Sequence, residues 1–528
     1  MTTPALGSLR ALIRLDLRLE RWRIAAWVLA LSLTQPLVYR SYTSMFSSSA
    51  QRSSLSKAFG SSASLTVIAG PARGLTTIGG LTSWKTLMFS AVLAAIMAIT
   101  TVVRRTRADE EAGRTELLGS TALSPATGLG AGVALGLAAS LGVAGLGALG
   151  LLAVGSPAAG AISLGVAIGG AGLVFVGVAA VAAQVAVTAR GATSLALVVL
   201  GAAFAVRAVG DTTSVHWLDW SSPLGWSEEV APYAGDHLWV LGIFAVVAVA
   251  LCGLAGALLR RRDVGSGMLP ERPGPARAGR HLTSAAGLAR RLDLRWLVVW
   301  SIGLTAFGAV VGSVTTSLVA LAKGSSVLAR FLGPGHGTVT DLFLAQMLGM
   351  LSVLAAAAGV QAVLRARSEE QAGRAEELLA TGLSRTRFLG SHVVLGLLGS
   401  AVVLTMGGLA LGATAAASGA TVSPASLLAG IGVQLVPCSV LVALAIALVG
   451  AVPRLSVLAL PVVVGTYFLT SFGNLLRLPA WAMDLSAYTH VPTVPGGTGD
   501  LGALIAQAAA CGALLALGLV AMGRRDLG

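Results

Sequence analysis

The sequence predicts an all-α polytopic membrane protein of twelve transmembrane helices, arranged as two parallel six-helix repeats. Three observations predict it. The 528 residues are 55% hydrophobic and only 11% charged, with a mean hydropathy of +0.83, whereas soluble domains run nearer a quarter charged. Apolar runs of about 20 residues recur along the chain, and bilayer hydrocarbon obliges such runs to close their hydrogen bonds internally as helices. A charged segment recurs once in each half, which divides the chain into similar units.

The first half offers spans at Trp22 to Tyr39, Thr86 to Val103, Leu129 to Val154, Leu164 to Thr188, Ser194 to Val209 and Leu238 to Leu259. The second offers Trp296 to Leu321, Leu342 to Leu364, Val393 to Ser418, Leu427 to Val452, Leu455 to Phe472 and Leu501 to Met522. The 67 glycines and abundant alanines predict close helix crossings, because lipid supplies no hydrophobic drive between helices and small residues let backbones approach. Cys252, Cys438 and Cys511 all fall within apolar spans, so neither a metal site nor a disulfide framework is predicted. The polar, arginine-containing start lacks a cleavage pattern behind a short apolar core, and the first span is expected to be retained.

The net charge of +14 does not form a basic block or an aromatic-interleaved groove, which argues against nucleic acid as a partner. With the N-terminus inside, 27 of the 36 Lys and Arg residues fall in the cytoplasm. Eight acids fall opposite: Asp211, Asp219, Glu228, Glu229, Asp236, Asp341, Asp484 and Asp500. Both termini are therefore expected in the cytoplasm of a bacterial cell (inner) membrane protein.

The duplicated segment is RTRADEEAGRTELLGSTALS at Arg105 to Ser124 and RARSEEQAGRAEELLATGLS at Arg365 to Ser384, with eleven of twenty positions identical and no gap. Arg14-Leu-Asp-Leu-Arg18 likewise matches Arg291-Leu-Asp-Leu-Arg295, each ahead of the first span of its half. The halves are thus co-linear, and an even number of spans per half makes them parallel. The expected organisation is a first repeat over 1–262, a Pro-rich cytoplasmic linker over 263–290 and a second repeat over 291–528. Glu110 and Arg114, like Glu370 and Arg374, stand four apart in the order that favours a helical ion pair, so a short charged helix is expected in each copy. Gly113 and Gly373 interrupt it, and fit either a kink or the close approach of another surface. Because this polar segment recurs, something outside the membrane is expected to grip both copies.

The signature Asp109-Glu110-Glu111-Ala112-Gly113-Arg114-Thr115-Glu116, with Glu369-Glu370-Gln371-Ala372-Gly373-Arg374-Ala375-Glu376, resembles that of permeases of the polyketide-antibiotic (tetronasin-type) ABC exporters within the ABC-2-like multidrug efflux group. The resemblance implies a type V, ABC-2-like fold with coupling helices near 105–124 and 365–384. It implies that Asp109, Glu110, Glu111, Gly113, Arg114 and Glu116, with Glu369, Glu370, Gly373, Arg374 and Glu376, meet two copies of a nucleotide-binding ATPase subunit. Gln371 for Glu111 and Glu377 for Leu117 are departures between the copies, which leave open whether the two contacts are equivalent.

A phosphate-cradling G-x-x-x-x-G-K-[ST] loop is absent: the only lysine followed by Ser or Thr is Lys85, preceded by Trp84. The chain is therefore expected to bind no cofactor and catalyse nothing itself, with ATP and Mg held by the partner. An ion-coupled secondary drug transporter is the main alternative, although such carriers place acids within the membrane and these spans hold only Asp341 at a boundary. Arg207, near the outer end of its span, is expected to snorkel to water. A membrane transferase acting on lipid-linked substrates is a lesser alternative, resting on the carboxylates and histidines between Asp211 and His237; Trp217, Trp220 and Trp226 there read instead as interfacial anchors. From family architecture, a pathway between the halves would be lined by Met88, Phe89, Phe204, Gln346, Met347, Met350, Tyr467 and Phe468, whose thioethers and rings suit bulky hydrophobic cargo.

Overall fold

In a computed structural model the described residues are 3–45, 52–53, 56, 66, 69–115, 124–212, 215, 217–263, 265–268, 277, 279, 282, 284–313, 315–316, 319, 338–472, 479–495 and 501–525. They contain helices and turns and no strand. Among the described residues, ten helices are long and apolar enough to cross a membrane. The chain divides into two compact units, Met1–Pro273 and Gly274–Gly528.

The first unit comprises α1 (Thr3–Met45), α2 (Ile78–Arg105), α3 (Arg107–Glu111), α4 (Pro125–Ala153), α5 (Ala158–Val185), α6 (Ala189–Thr212), α7 (Trp217–Trp220), α8 (Pro223–Glu229) and α9 (Val240–Leu259). Its middle is the buried pair α2 and α5, against which α4, α6 and α9 pack, with α1 laid along α4. Local chemistry sets the helix starts. Thr77 accepts from the Gly80 amide at 2.9 Å and caps α2, and Pro125 begins α4, where its missing N–H costs no hydrogen bond.

The second unit comprises α10 (Ala285–Ser313), α11 (Val339–Gln371), α12 (Arg374–Leu379), α13 (Arg385–Ala417), α14 (Pro424–Ala451), a 3-10 turn at Pro453–Leu458, α15 (Ala459–Phe472), α16 (Ala480–Met483), a second 3-10 turn at Ala487–His490 and α17 (Leu501–Arg524). Here α11 is central, flanked by α13, α14 and α15, while α10 runs along α13 and α17 along α14. Asp341, the one acid predicted within a span, closes a capping box with Thr338 at the start of α11.

Two predicted spans differ from the ten. Trp22 to Tyr39 lies within α1 but carries Arg23, Gln35 and Tyr39, and Gln35 is buried, donating to the Ser90 hydroxyl at 3.1 Å. Leu455 to Phe472 is not one helix. Pro461 has no N–H for a carbonyl four residues back and its ring collides there, so the α conformation begins only at Ala459 and leaves a 14-residue helix.

Candidate functional site

The duplicated charged segment lies at the end of α2 in the first unit and of α11 in the second. Each copy ends its helix at the glycine that the sequence marks as a break: Gly113 has φ +70° and Gly373 φ +75°, the left-handed conformation that glycine adopts without steric cost. In both, the glycine N–H donates to the carbonyl of the second acid, Glu110 or Glu370, at 3.0 Å. The kink reading holds.

This break changes the expected ion pairing. A left-handed residue between them removes the α-helical register, so Glu110 and Arg114 do not pair, nor do Glu370 and Arg374. Arg114 turns back to Asp109 at 2.5 Å and Arg374 to Glu369 at 2.5 Å. Arg105 and Arg365 meet the same acids from four residues earlier, at 3.3 and 3.2 Å. Arg107 and Arg367 reach Glu110 and Glu370, each at 2.9 Å.

The second acid of each copy is committed inward. Glu110 takes Arg262 and the Gly265 amide, just beyond α9, while Arg107 donates to the Val187, Gly265 and Ser266 carbonyls. Glu370 takes Arg525, just beyond α17, whose other nitrogen donates to the Val449 carbonyl. The acid thus ties the end of the second helix to the end of the sixth. What remains exposed differs: Glu111, which also accepts from the Ala189 amide, Gln371, Glu376 and Glu377, and the guanidinium ends of Arg114 and Arg374, 64% and 56% exposed. Glu116 lies outside the described residues.

The R-L-D-L-R motif of the first unit joins its charged cluster, a role not evident from the motif alone. Asp16 lies 3.5 Å from Arg105, and Glu20 receives Arg105 at 2.6 Å and Arg104 at 2.8 Å. Burial would raise Glu20, but Arg105, Arg104 and Arg23 outweigh it and hold it below the usual carboxylate range. For Asp16 burial wins over Arg105 and pushes it up to about 6. In the second unit the matching Asp293 meets His392 instead, at 3.3 Å.

At the other end of α6, Arg207 does not snorkel to water. It is fully buried, 2.9 Å from Asp211 and 3.2 Å from Glu228, and 4.4 Å from the Phe204 ring centroid. Burial pushes Glu228 well above the usual range, Arg207 only partly opposing it and Asp211 adding to it. Arg73 binds the Glu228 carbonyl and the Glu229 carboxylate beside a cavity of about 20 Å³. Of the three nearby tryptophans expected as anchors, Trp217 and Trp220 are exposed, but Trp226 is buried edge-on against Phe244.

Of the residues assigned to a pathway, Met88 and Phe204 join one core within the first unit, while Phe89 points outward at 63% exposure. Gln346, Met347 and Met350 are half-buried on α11, and Met347 packs against its core. The side chains of Tyr467 and Phe468 lie outside the described residues.

The family model described as multidrug efflux system permease Rv1217c, C-terminal domain, matches residues 9–260 and 282–522. The multidrug efflux system permease protein Rv1217c of Mycobacterium tuberculosis (strain ATCC 25618 / H37Rv) is 38% identical over 525 residues, covering 98% of this chain and 94% of that protein.

Proposed function

This chain belongs to the Rv1217c family of multidrug efflux permeases, and on that premise we propose that it is the membrane subunit of an ATP-driven exporter whose ATPase is a separate chain. It is a multi-pass membrane permease with ten helices able to span. The finer reading is twelve spans in two parallel repeats of the tetronasin-type, ABC-2-like class, with both termini cytoplasmic. Two nucleotide-binding subunits would supply ATP and Mg, one at each charged turn, and the cargo would be hydrophobic or amphiphilic drugs or lipid-like molecules.

One observation carries this reading. The two turns share the same left-handed glycine, the same half-buried acid bound to the end of the sixth helix and the same arginine with an exposed guanidinium. A turn anchored on one side and charged on the other transmits a push from a docked protein into α2 or α11 without folding away. The test is co-purification with an ATPase encoded beside this chain, using Arg114→Gln and Arg374→Gln together, which leave Asp109 and Glu369 their contacts with Arg105 and Arg365. Loss of ATPase assembly with intact membrane insertion is expected; normal assembly and transport would sink the proposal.

The buried Arg207, Asp211 and Glu228 cluster favours a second reading, ion-coupled transport, because two carboxyls share one arginine. Drug accumulation measured with a proton uncoupler at held ATP separates the two. Collapse of efflux favours ion coupling, and unchanged efflux favours ATP.

A further inference from the structure

We propose that each repeat carries a specific site for the headgroup of an anionic phospholipid, formed by Arg14 and Arg18 on α1 and by Arg291 and Arg295 on α10. The R-L-D-L-R motif splits by helical geometry. Its aspartate turns inward, to Arg105 in one unit and to His392 in the other, whereas its two arginines, four apart, share the opposite face. All four arginines are exposed, and none has an acidic partner among the described residues. By contrast, Arg23, Arg104 and Arg105 are all engaged by Glu20.

The surface beyond each arginine pair identifies the occupant. On α1 the basic stripe reaches Trp22, 77% exposed, which carries Arg21 at 5.3 Å from its ring centroid. The same face then continues through exposed Leu29, Leu33 and Leu37. On α10, Arg295 is followed by exposed Trp296 and then by exposed Val298, Val299 and Ile302. A helix packed on one side and uniformly apolar on the other faces acyl chains. Tryptophan settles at the boundary of hydrocarbon and headgroups. An arginine pair within the two turns before it stands at phosphate depth, where guanidinium forks match phosphate oxygens. The ligand is therefore anionic and anchored in the bilayer: a lipid such as phosphatidylglycerol, not a soluble phosphate. The duplication supports a function beyond charge bias, because the pair and its inward aspartate recur in both units, each followed within four residues by an exposed tryptophan, while the neighbouring sequence differs.

The experiment reconstitutes the full chain in phosphatidylcholine bilayers and measures, by electron spin resonance, the immobilised fraction of trace spin-labelled phosphatidylglycerol against labelled phosphatidylcholine. The wild type is expected to prefer the anionic lipid by roughly fivefold per engaged arginine, with the preference falling as salt rises. Arg14→Gln with Arg18→Gln, or Arg291→Gln with Arg295→Gln, should each remove part of it, and all four together should abolish it. The corresponding lysine variants keep the charge at the same depth and should retain most of the preference, which separates lost lipid binding from lost folding. No preference in the wild type, or an undiminished one in the fourfold glutamine variant, overturns the proposal. So does displacement by millimolar inorganic phosphate at constant ionic strength, which would assign the arginines to a soluble anion.

Discussion

Glu110 receives both terminal nitrogens of Arg262, at 2.7 and 2.8 Å, across 152 residues of chain. The same guanidinium donates through Nε to the Gln184 side chain at 2.9 Å. A planar fork on a carboxylate gives orientation as well as energy, so this pair fixes the angle at which α9 leaves the bundle relative to the charged turn. Glu370 and Arg525 repeat the connection in the second unit.

Removing the acid should cost far more than removing the arginine. Glu110→Ala strands Arg107 and Arg262, 2% and 5% exposed, in a site where no other carboxylate among the described residues contacts them. Arg262→Ala leaves Glu110 still bound to Arg107 and to the Gly265 amide. Stranding buried charge costs about 3 kcal/mol or more. Glu110→Ala should therefore lower the melting midpoint in detergent by roughly 3 °C or more, and Arg262→Ala by clearly less. The midpoint is read by size-exclusion chromatography of heated samples, and equal losses would show that the asymmetry is absent.

Asp16 and Glu20 should respond oppositely to acid. Asp16 titrates near 6 in the folded chain against 3.8 as a free side chain. The folded state therefore binds the proton more tightly, and the stability it gains is fully present below 3.8 and is lost as pH rises through about 6. Glu20 is held low, so its contribution is present above its ordinary value and is lost as pH falls through the folded one. Between pH 6 and 4 the wild type should gain stability relative to Asp16→Asn, on the order of 2 kcal/mol. Over acid pH it should lose stability relative to Glu20→Gln. Parallel pH curves for wild type and Asp16→Asn would mean that Asp16 does not take up its proton on folding.

The location of the chain in the membrane and its internal duplication were legible because each repeats a pattern many times over. Partners distant in sequence were not. Nothing at Glu110 announces Arg262, and the i to i+4 rule points to Arg114, because the rule presumes a continuous helix and Gly113 ends it. The informative residue was the glycine itself, whose cost within a helix already marked a break. The Arg207 cluster was missed for another reason. Asp211 lies on the same helix four residues on, but Glu228 arrives from α8, and no local pattern distinguishes an arginine bound for water from one enclosed by a later segment. The continuous helix expected over Leu455 to Phe472 divides near Pro461 into a 3-10 turn and a 14-residue α-helix, a signal present in the sequence but outweighed by uniform hydrophobicity.

Arg207 should be intolerant of neutral replacement, while Glu228 tolerates its amide. Arg207→Met leaves Asp211 and Glu228 buried beside each other without their shared cation, a loss of about 3–5 kcal/mol that should abolish a monodisperse purified species. Glu228→Gln keeps a hydrogen-bond acceptor for Arg207 while Asp211 still balances its charge. Because Glu228 is already held well above the usual carboxylate range, its neutral form is the one burial favours. The amide variant should therefore purify normally. If both variants behave like wild type, the cluster is not a fixed part of the fold.

The packing of α10 on α13 supplies a sharper test, because it separates crowding from helix propensity on one helix. At Gly308 an added Cβ would run into the Gly407 carbonyl, and at Gly312 into the Leu411 carbonyl and the Thr414 hydroxyl. Backbone carbonyls cannot swing aside as a flexible side chain can, so the two helices must separate and lose contact along their crossing. Gly303, on the same helix, has nothing within 4 Å of such an atom. There alanine should be neutral or stabilising by up to about 1 kcal/mol, since glycine is the poorer helix former. Gly308→Ala should instead cost about 1–3 kcal/mol, and Gly308→Leu should prevent recovery of folded protein. Melting midpoints of Gly303→Ala and Gly308→Ala should therefore move in opposite directions. If they move together, propensity and not the close crossing governs this helix pair, and glycine at 308 is not what holds α10 against α13.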